Sequence, residues 1–176
     1  MSQGPVKRGL LLKMAASNQM RWLWLSAFML IADQMTKHLV ASSMALYQSI
    51  PINGFFDLVY VHNYGAAFSF LDSQGGAQRW LFSALAIVVC LFLAWCLKRM
   101  KEPQPLTACA YALIISGALG NVIDRLMYGY VIDFIDVHYG NYHWPAFNVA
   151  DSCICAGAVL LILDSFVHSS KRIEKE

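Results

Sequence analysis

Charge is scarce in this sequence. Only 14% of its 176 residues are Asp, Glu, Lys or Arg, against 58% apolar. A soluble domain carries about 25% charged and about 45–50% apolar residues. The shortage excludes a disordered chain, which needs high charge and low hydropathy. A net charge of only +2 excludes a partner recognised through a broad basic surface, nucleic acid above all. The signatures of several chemistries are missing too. There is no HExxH for zinc, no GxSxG for a serine nucleophile and no glycine-rich phosphate loop. No CxxC pair is present, and the five cysteines (90, 96, 109, 153 and 155) all fall in apolar runs, as small core residues do. The sequence therefore implies no metal and no cofactor.

What is abundant is long apolar sequence, with a mean hydropathy of +0.49. A bilayer core about 30 Å thick takes about 20 apolar residues in helix. Four windows qualify: Trp22 to Ala41, Trp80 to Leu97, Leu106 to Ile123 and Ala146 to Leu163. Ten of the thirteen basic residues lie before the first window, between the second and third, or after the fourth. The positive-inside rule makes that side cytoplasmic. The expected fold is a membrane all-α protein with four transmembrane helices, N-in and C-in. A basic tail covers 1–21, the membrane domain 22–168 and a cytoplasmic tail 169–176. Two aromatic-rich outer segments, about 42–79 and 124–146, form a small β-rich periplasmic platform. Phe56 to Val61 reads as strand, punctuated by Gly65 or Gly75–Gly76.

An ionisable group inside a span costs about 2.5–3.5 kcal/mol on insertion scales, so each one needs a reason. Asp33 and Lys37 are four apart and share a helix face. They form either an internal ion pair that snorkels outward or part of a substrate site. In NVIDR, Asn121, Asp124 and Arg125 close the third window. Asp124 and Arg125 diverge by about 100° on a helix, so they address different partners, and Arg125 suits a carboxylate or a lipid phosphate. Asp133 lies in VIDFID between apolar neighbours, and Asp151 opens the fourth window. Two carboxyls held close in apolar surroundings can share one proton and act as base and acid on water. Alternatively, Asp151 simply faces a helix N-terminus. Asn63 and Gly65 begin a run of small residues that suits a bound peptide or lipid, or tight packing. Gly117 and Gly120 permit close helix contact. His138 and His143 could hold a metal, although hydrogen bonding at the interface is the commoner fate.

DQMTK (33–37), NYGAAFS (63–69), GALGNVIDR (117–125), VIDFID (131–136) and FNVAD (147–151) occur in that order on four spans. In this the chain resembles the lipoprotein signal peptidases, or signal peptidase II, of the bacterial inner membrane. The resemblance covers about residues 20 to 168. Ser116 departs from it, standing where a glycine is usual. It implies an intramembrane aspartic endopeptidase that cuts on the amino side of a diacylglyceryl-modified cysteine in a prolipoprotein. Asp133 and Asp151 would be its catalytic pair. Asp33, Lys37, Asn63, Gly65, Asn121, Asp124, Arg125 and Asn148 would bind substrate or shape the site. Membrane lipid and globomycin-type inhibitors would be its other partners, with no nucleic acid and no cofactor. The alternative is a small four-span proton- or ion-coupled transporter. That would use Asp33, Lys37, Asp124 and Arg125 as relay groups near the bilayer midplane.

Overall fold

The computed structural model describes residues 19–65 and 77–173. Lys7, Arg8 and Lys13 of the basic tail, Ala66–Ala67, Asp72, Gly75–Gly76 and Lys175 lie outside the described residues. After one 3-10 turn over Gln19–Trp22, helix α1 spans Leu23–Ser43, α2 Ala77–Arg99, α3 Pro105–Tyr128 and α4 Val149–Ile173. Strands β1 (Ser49–Asn53) and β2 (Phe56–Asn63) follow α1, while β3 (Val131–Tyr139) and β4 (Tyr142–His143) follow α3. Among the described residues, α2, α3 and α4 are long and apolar enough to cross a membrane. Helix α1 has the length, but Asp33, Gln34 and Lys37 interrupt its apolar run.

Helix α3 is the axis of the molecule, packed on α1, α2 and α4. Its small residues make that possible. Ala108, Ala110 and Ala112 are fully buried. A side chain on Gly117 would collide with the carbonyl of Ala150 in α4, and one on Gly120 with the carboxylate of Asp33 in α1. Close backbone approach replaces the hydrophobic drive that lipid cannot supply. Pro105 opens α3, where a missing N–H costs nothing. Gly129, at φ +86°, closes it by donating to the Arg125 carbonyl at 3.1 Å. Leu81, Leu85, Val88, Leu91 and Phe92 of α2 point outward and are exposed, as suits a helix surrounded by an apolar phase.

The two outer segments join in one antiparallel sheet of order β1-β2-β3-β4. Its register carries one irregularity that decides what reaches the site. Leu58 pairs with Ile135, yet Val61 pairs with Asp133, so β2 holds one extra residue. Such a bulge switches the faces of everything beyond it. It turns Asn63, rather than His62, to the side of Asp133. The strand expected over Phe56 to Val61 thus runs two residues further.

Helix α4 begins at Val149, not at 146. Phe147 is held in extended conformation by bonds of 2.8 and 3.0 Å with Ile135 of β3, and Asn148 caps the helix. The Asn148 side chain accepts from the Asp151 N–H at 2.9 Å, while the Asp151 carboxylate accepts from the Asn148 N–H at 3.2 Å. This reciprocal pair satisfies two N–H groups that a helix start leaves open.

Candidate active site

Three buried charges lie at the junction of α1 and α3. The Lys37 ammonium sits 2.9 Å from Asp33 and 2.9 Å from Asp124, and all three side chains are at most 2% exposed. The Asp33–Lys37 pair expected from the i,i+4 spacing is therefore present, but it does not snorkel: it turns inward. Its third bond goes to the Asn121 side-chain oxygen at 3.1 Å. The triad also grips backbone on both sides of the site. Asp33 accepts from the N–H of Ala150 at 2.8 Å, and Asp124 from the N–H of Ile132 at 3.2 Å. Those are the residues immediately before Asp151 and Asp133. One ammonium thus ties together the two segments that carry those carboxyls.

Gln34 was not singled out from the sequence. Its amide reaches Asp124 at 3.0 Å, Asp33 at 3.2 Å and the Gly120 carbonyl at 3.3 Å. Its place inside DQMTK, between Asp33 and Lys37, was the available signal.

Asp133 and Asp151 come from different elements and meet through asparagines. Asn148 donates to Asp133 at 2.7 Å from its amide and to Asp151 at 3.2 Å from its backbone. Asn63 donates to the other oxygen of Asp133 at 2.9 Å, and Asn121 to Asp151 at 2.8 Å. Each amide has its direction set by a group that can only donate. The Asn63 oxygen takes the N–H of Gly65 at 2.8 Å, the Asn148 oxygen takes the N–H of Asp151, and the Asn121 oxygen takes the Lys37 ammonium. The NH2 end must then face a carboxylate. Gly65, at φ +88°, lies against the Phe82 ring, which leaves little room for a side chain.

No cation pairs directly with Asp133 or Asp151 among the described residues. Asp133, 2% exposed, has its carboxyl pushed up to about 6 by burial, with Asp151 adding to the rise while Asn63, Asn148 and Lys37 oppose it. A carboxyl in that range can hold or release a proton near neutral pH.

Two clefts open at Asp151. One, about 370 Å³, runs between α2, α3 and α4 and is lined by Leu85, Val89, Ile114 and Ala118, with Asn121 and Arg125 at its polar end. The other, about 540 Å³, lies under Trp144, Pro145, Ala146 and Phe147 and also reaches Asn63. Asp124 and Arg125 do diverge. Asp124 faces Lys37, whereas the Arg125 guanidinium lies 5.6 Å from the centre of the Phe82 ring and donates to the Asn121 carbonyl at 3.4 Å. Arg125 forms no ion pair with a carboxylate among the described residues, and it lines the cleft beside Asp151.

A helical bundle with a small antiparallel sheet around such a polar centre is a bacterial membrane enzyme fold. Two solved bacterial membrane enzymes superpose on it with TM-scores of 0.77 and 0.73, each at 30% identity. They cover 89% and 81% of this chain and 93% and 90% of their own. Residues 25–167 match the family model described as signal peptidase (SPase) II. The lipoprotein signal peptidase of Alteromonas mediterranea is 52% identical over 165 residues, 94% of this chain and 91% of its own. That of Psychromonas ingrahamii is 56% identical over 147 residues, 84% and 85% respectively. The chain belongs to the signal peptidase II family and is a membrane-bound protease. Family membership displaces the transporter alternative.

Proposed function

We propose that this protein is an intramembrane aspartic endopeptidase that removes signal peptides from diacylglyceryl-modified prolipoproteins. It cuts on the amino side of the lipidated cysteine and uses Asp133 and Asp151 to activate water. The observation that carries this reading is the arrangement of two carboxyls joined through Asn148, held by amides and left without a neutralising cation. Amides fix position while leaving a proton free to be shared. Burial raises the hold of Asp133 on its proton, which casts Asp133 as the acid and leaves Asp151 as the base. Water attacks the scissile carbonyl as Asp151 takes its proton. Asp133 then protonates the amine as the C–N bond breaks, and a proton returns from Asp151 to Asp133. Arg125, which lines the cleft beside Asp151, stabilises the tetrahedral oxyanion. Asn63, Asn121 and Asn148 aim the carboxyls. Asp33, Lys37 and Asp124 fix the two segments that carry them, and Gly65 sets the Asn63 amide.

The four helices, α1 included, span the inner membrane with both termini in the cytoplasm, as the Lys/Arg distribution supports. The sheet and the site then face the periplasmic side, at the depth where membrane lipid would deliver a diacylglyceryl group. Globomycin-type cyclic peptides would compete for the clefts at Asp151. The test is a gel-shift cleavage assay in detergent on a diacylglyceryl-modified prolipoprotein. Asp133→Asn and Asp151→Asn should each fold and lose at least about 10²–10⁴-fold in rate, the usual worth of a general acid or base. If either folded variant keeps cutting at the parent rate, the two-carboxyl mechanism is wrong.

A further inference from the structure

A second group of ionisable side chains lies on the outer sheet. Asp57 of β2 and Asp136 of β3 are direct cross-strand partners, as are His138 of β3 and His143 of β4. Asp136 and His138, two apart on one strand, share a face. The His138 Nε2 donates to Asp57 Oδ1 at 3.1 Å, and the His143 Nδ1 to Asp136 Oδ2 at 2.7 Å. The two imidazoles stack at 4.8 Å. The Ser49 hydroxyl of β1 donates to Asp57 Oδ2 at 3.2 Å. No other charged side chain among the described residues pairs with the four.

With neutral histidines this group carries two like charges opposed across a strand pair, which weakens the pairing. With both histidines protonated it is neutral. Two buried atoms of the group, Asp136 Oδ1 and His138 Nδ1, have no partner. A neutral His138 that gives its Nε2 proton to Asp57 has only a lone pair on Nδ1. Protonation makes Nδ1 a donor and gives each histidine–carboxylate contact, His138–Asp57 and His143–Asp136, a full opposite charge. No three of these side chains converge as metal ligands among the described residues, and His138 and His143 each bind a carboxylate.

The group sits directly before a wall of the site. Trp144 follows His143, its N–H donates to the Val137 carbonyl at 2.8 Å, and Trp144 to Phe147 line the larger cleft at Asp151. We infer that Asp57, Asp136, His138 and His143 form a proton-operated clasp on the β3–β4 hairpin. When both histidines are charged, the clasp holds the Trp144–Phe147 wall in place, and the enzyme captures its peptide more tightly as the outer medium acidifies. The capture step rests on the proposed function, in which that cleft takes substrate.

Two measurements on the full-length protein in detergent test it. Hydrogen–deuterium exchange over 140–147, corrected for intrinsic rates, should show about threefold more protection at pH 5.5 than at pH 7.5, as expected for half-exposed ion pairs. Asp136→Asn and His143→Gln should each flatten that difference. KM for a lipidated prolipopeptide should rise by about the same factor from pH 5.5 to 7.5 in the parent and stay level in both variants. The pH response of kcat, which belongs to Asp133, should survive in all three. Protection that ignores pH in the parent, or variants that keep the parent's response, would overturn the clasp. Protection that responds while KM stays fixed overturns its control of capture. Exchange needs no substrate, so it judges the clasp even if the protein cleaves nothing, an outcome that sinks the peptidase reading instead.

Discussion

Two pairs of carboxyls lie side by side in this fold and are held in opposite ways. Asp33 and Asp124 share an ammonium at 2.9 Å each, whereas Asp133 and Asp151 share an asparagine. An ammonium brings a full charge, so it holds its partners by charge as well as by position. An amide brings only a dipole, so it fixes geometry and leaves the proton count open. The locked pair sits inside helices α1 and α3. The open pair sits on a strand and on the first turn of α4, beside two clefts. On the proposed function, structure and chemistry fall to separate carboxyls, and the first pair holds the second through the N–H groups of Ala150 and Ile132.

The strongest way to break that division is Lys37→Met, which leaves two buried carboxylates facing each other. Removing one partner of a buried ion pair costs about 3–5 kcal/mol, and thermal unfolding in detergent should show it. Adding Asp124→Asn should recover part of the loss; an undiminished Tm in Lys37→Met would mean the ammonium locks nothing. Asp133→Asn should behave in the opposite sense. Folded Asp133 holds its proton to about pH 6 and the unfolded chain to about 3.8. Its contribution is intact below the lower value and is lost as pH rises to the upper one. At about 1.4 kcal/mol per pH unit, the parent should lose about 2–3 kcal/mol across that window relative to Asp133→Asn. Parallel stability curves for the two proteins would contradict the buried-carboxyl account. Smaller still is Gly117→Ala, which presses a methyl onto the Ala150 carbonyl and shifts the start of α4 against α3. Overpacking of this kind costs about 1–3 kcal/mol, and cleavage should fall along with Tm. Normal activity at a lowered Tm would show that the Asp133–Asp151 geometry tolerates the shift.

Much of this was legible in the residues where the cause is local. Hydropathy and length locate the helices, aromatic and β-branched residues locate β2, and the four-residue spacing of Asp33 and Lys37 locates their pair. The angle between neighbours on a helix already separates Asp124 from Arg125. Long-range causes were hidden. Only the pairing of β2 with β3, seventy-odd positions apart in sequence, reveals the extra residue that turns Asn63 toward Asp133. The start of α4 differs from the expected 146 because Ala146 and Phe147 are apolar enough for a span, yet Phe147 is captured by Ile135 and Asn148 becomes the cap. Gln34 offers only its place inside DQMTK as a signal, which says nothing of its three acceptors, two of which belong to α3. The ring of Asp57, Asp136, His138 and His143 depends on a register that composition does not encode.

Chain order gives the Lys37 junction a consequence in time. Asp33 and Lys37 leave the ribosome together, four residues apart, and cancel each other's charge within one helix. Asn121 lies 84 positions later, with Asp124 just behind it. Until α3 is made, the first helix carries this pair without the Asn121 and Asp124 contacts of the folded protein. Its final docking therefore waits for α3, and a chain ending before Asn121 lacks two of the three acceptors that hold the Lys37 ammonium.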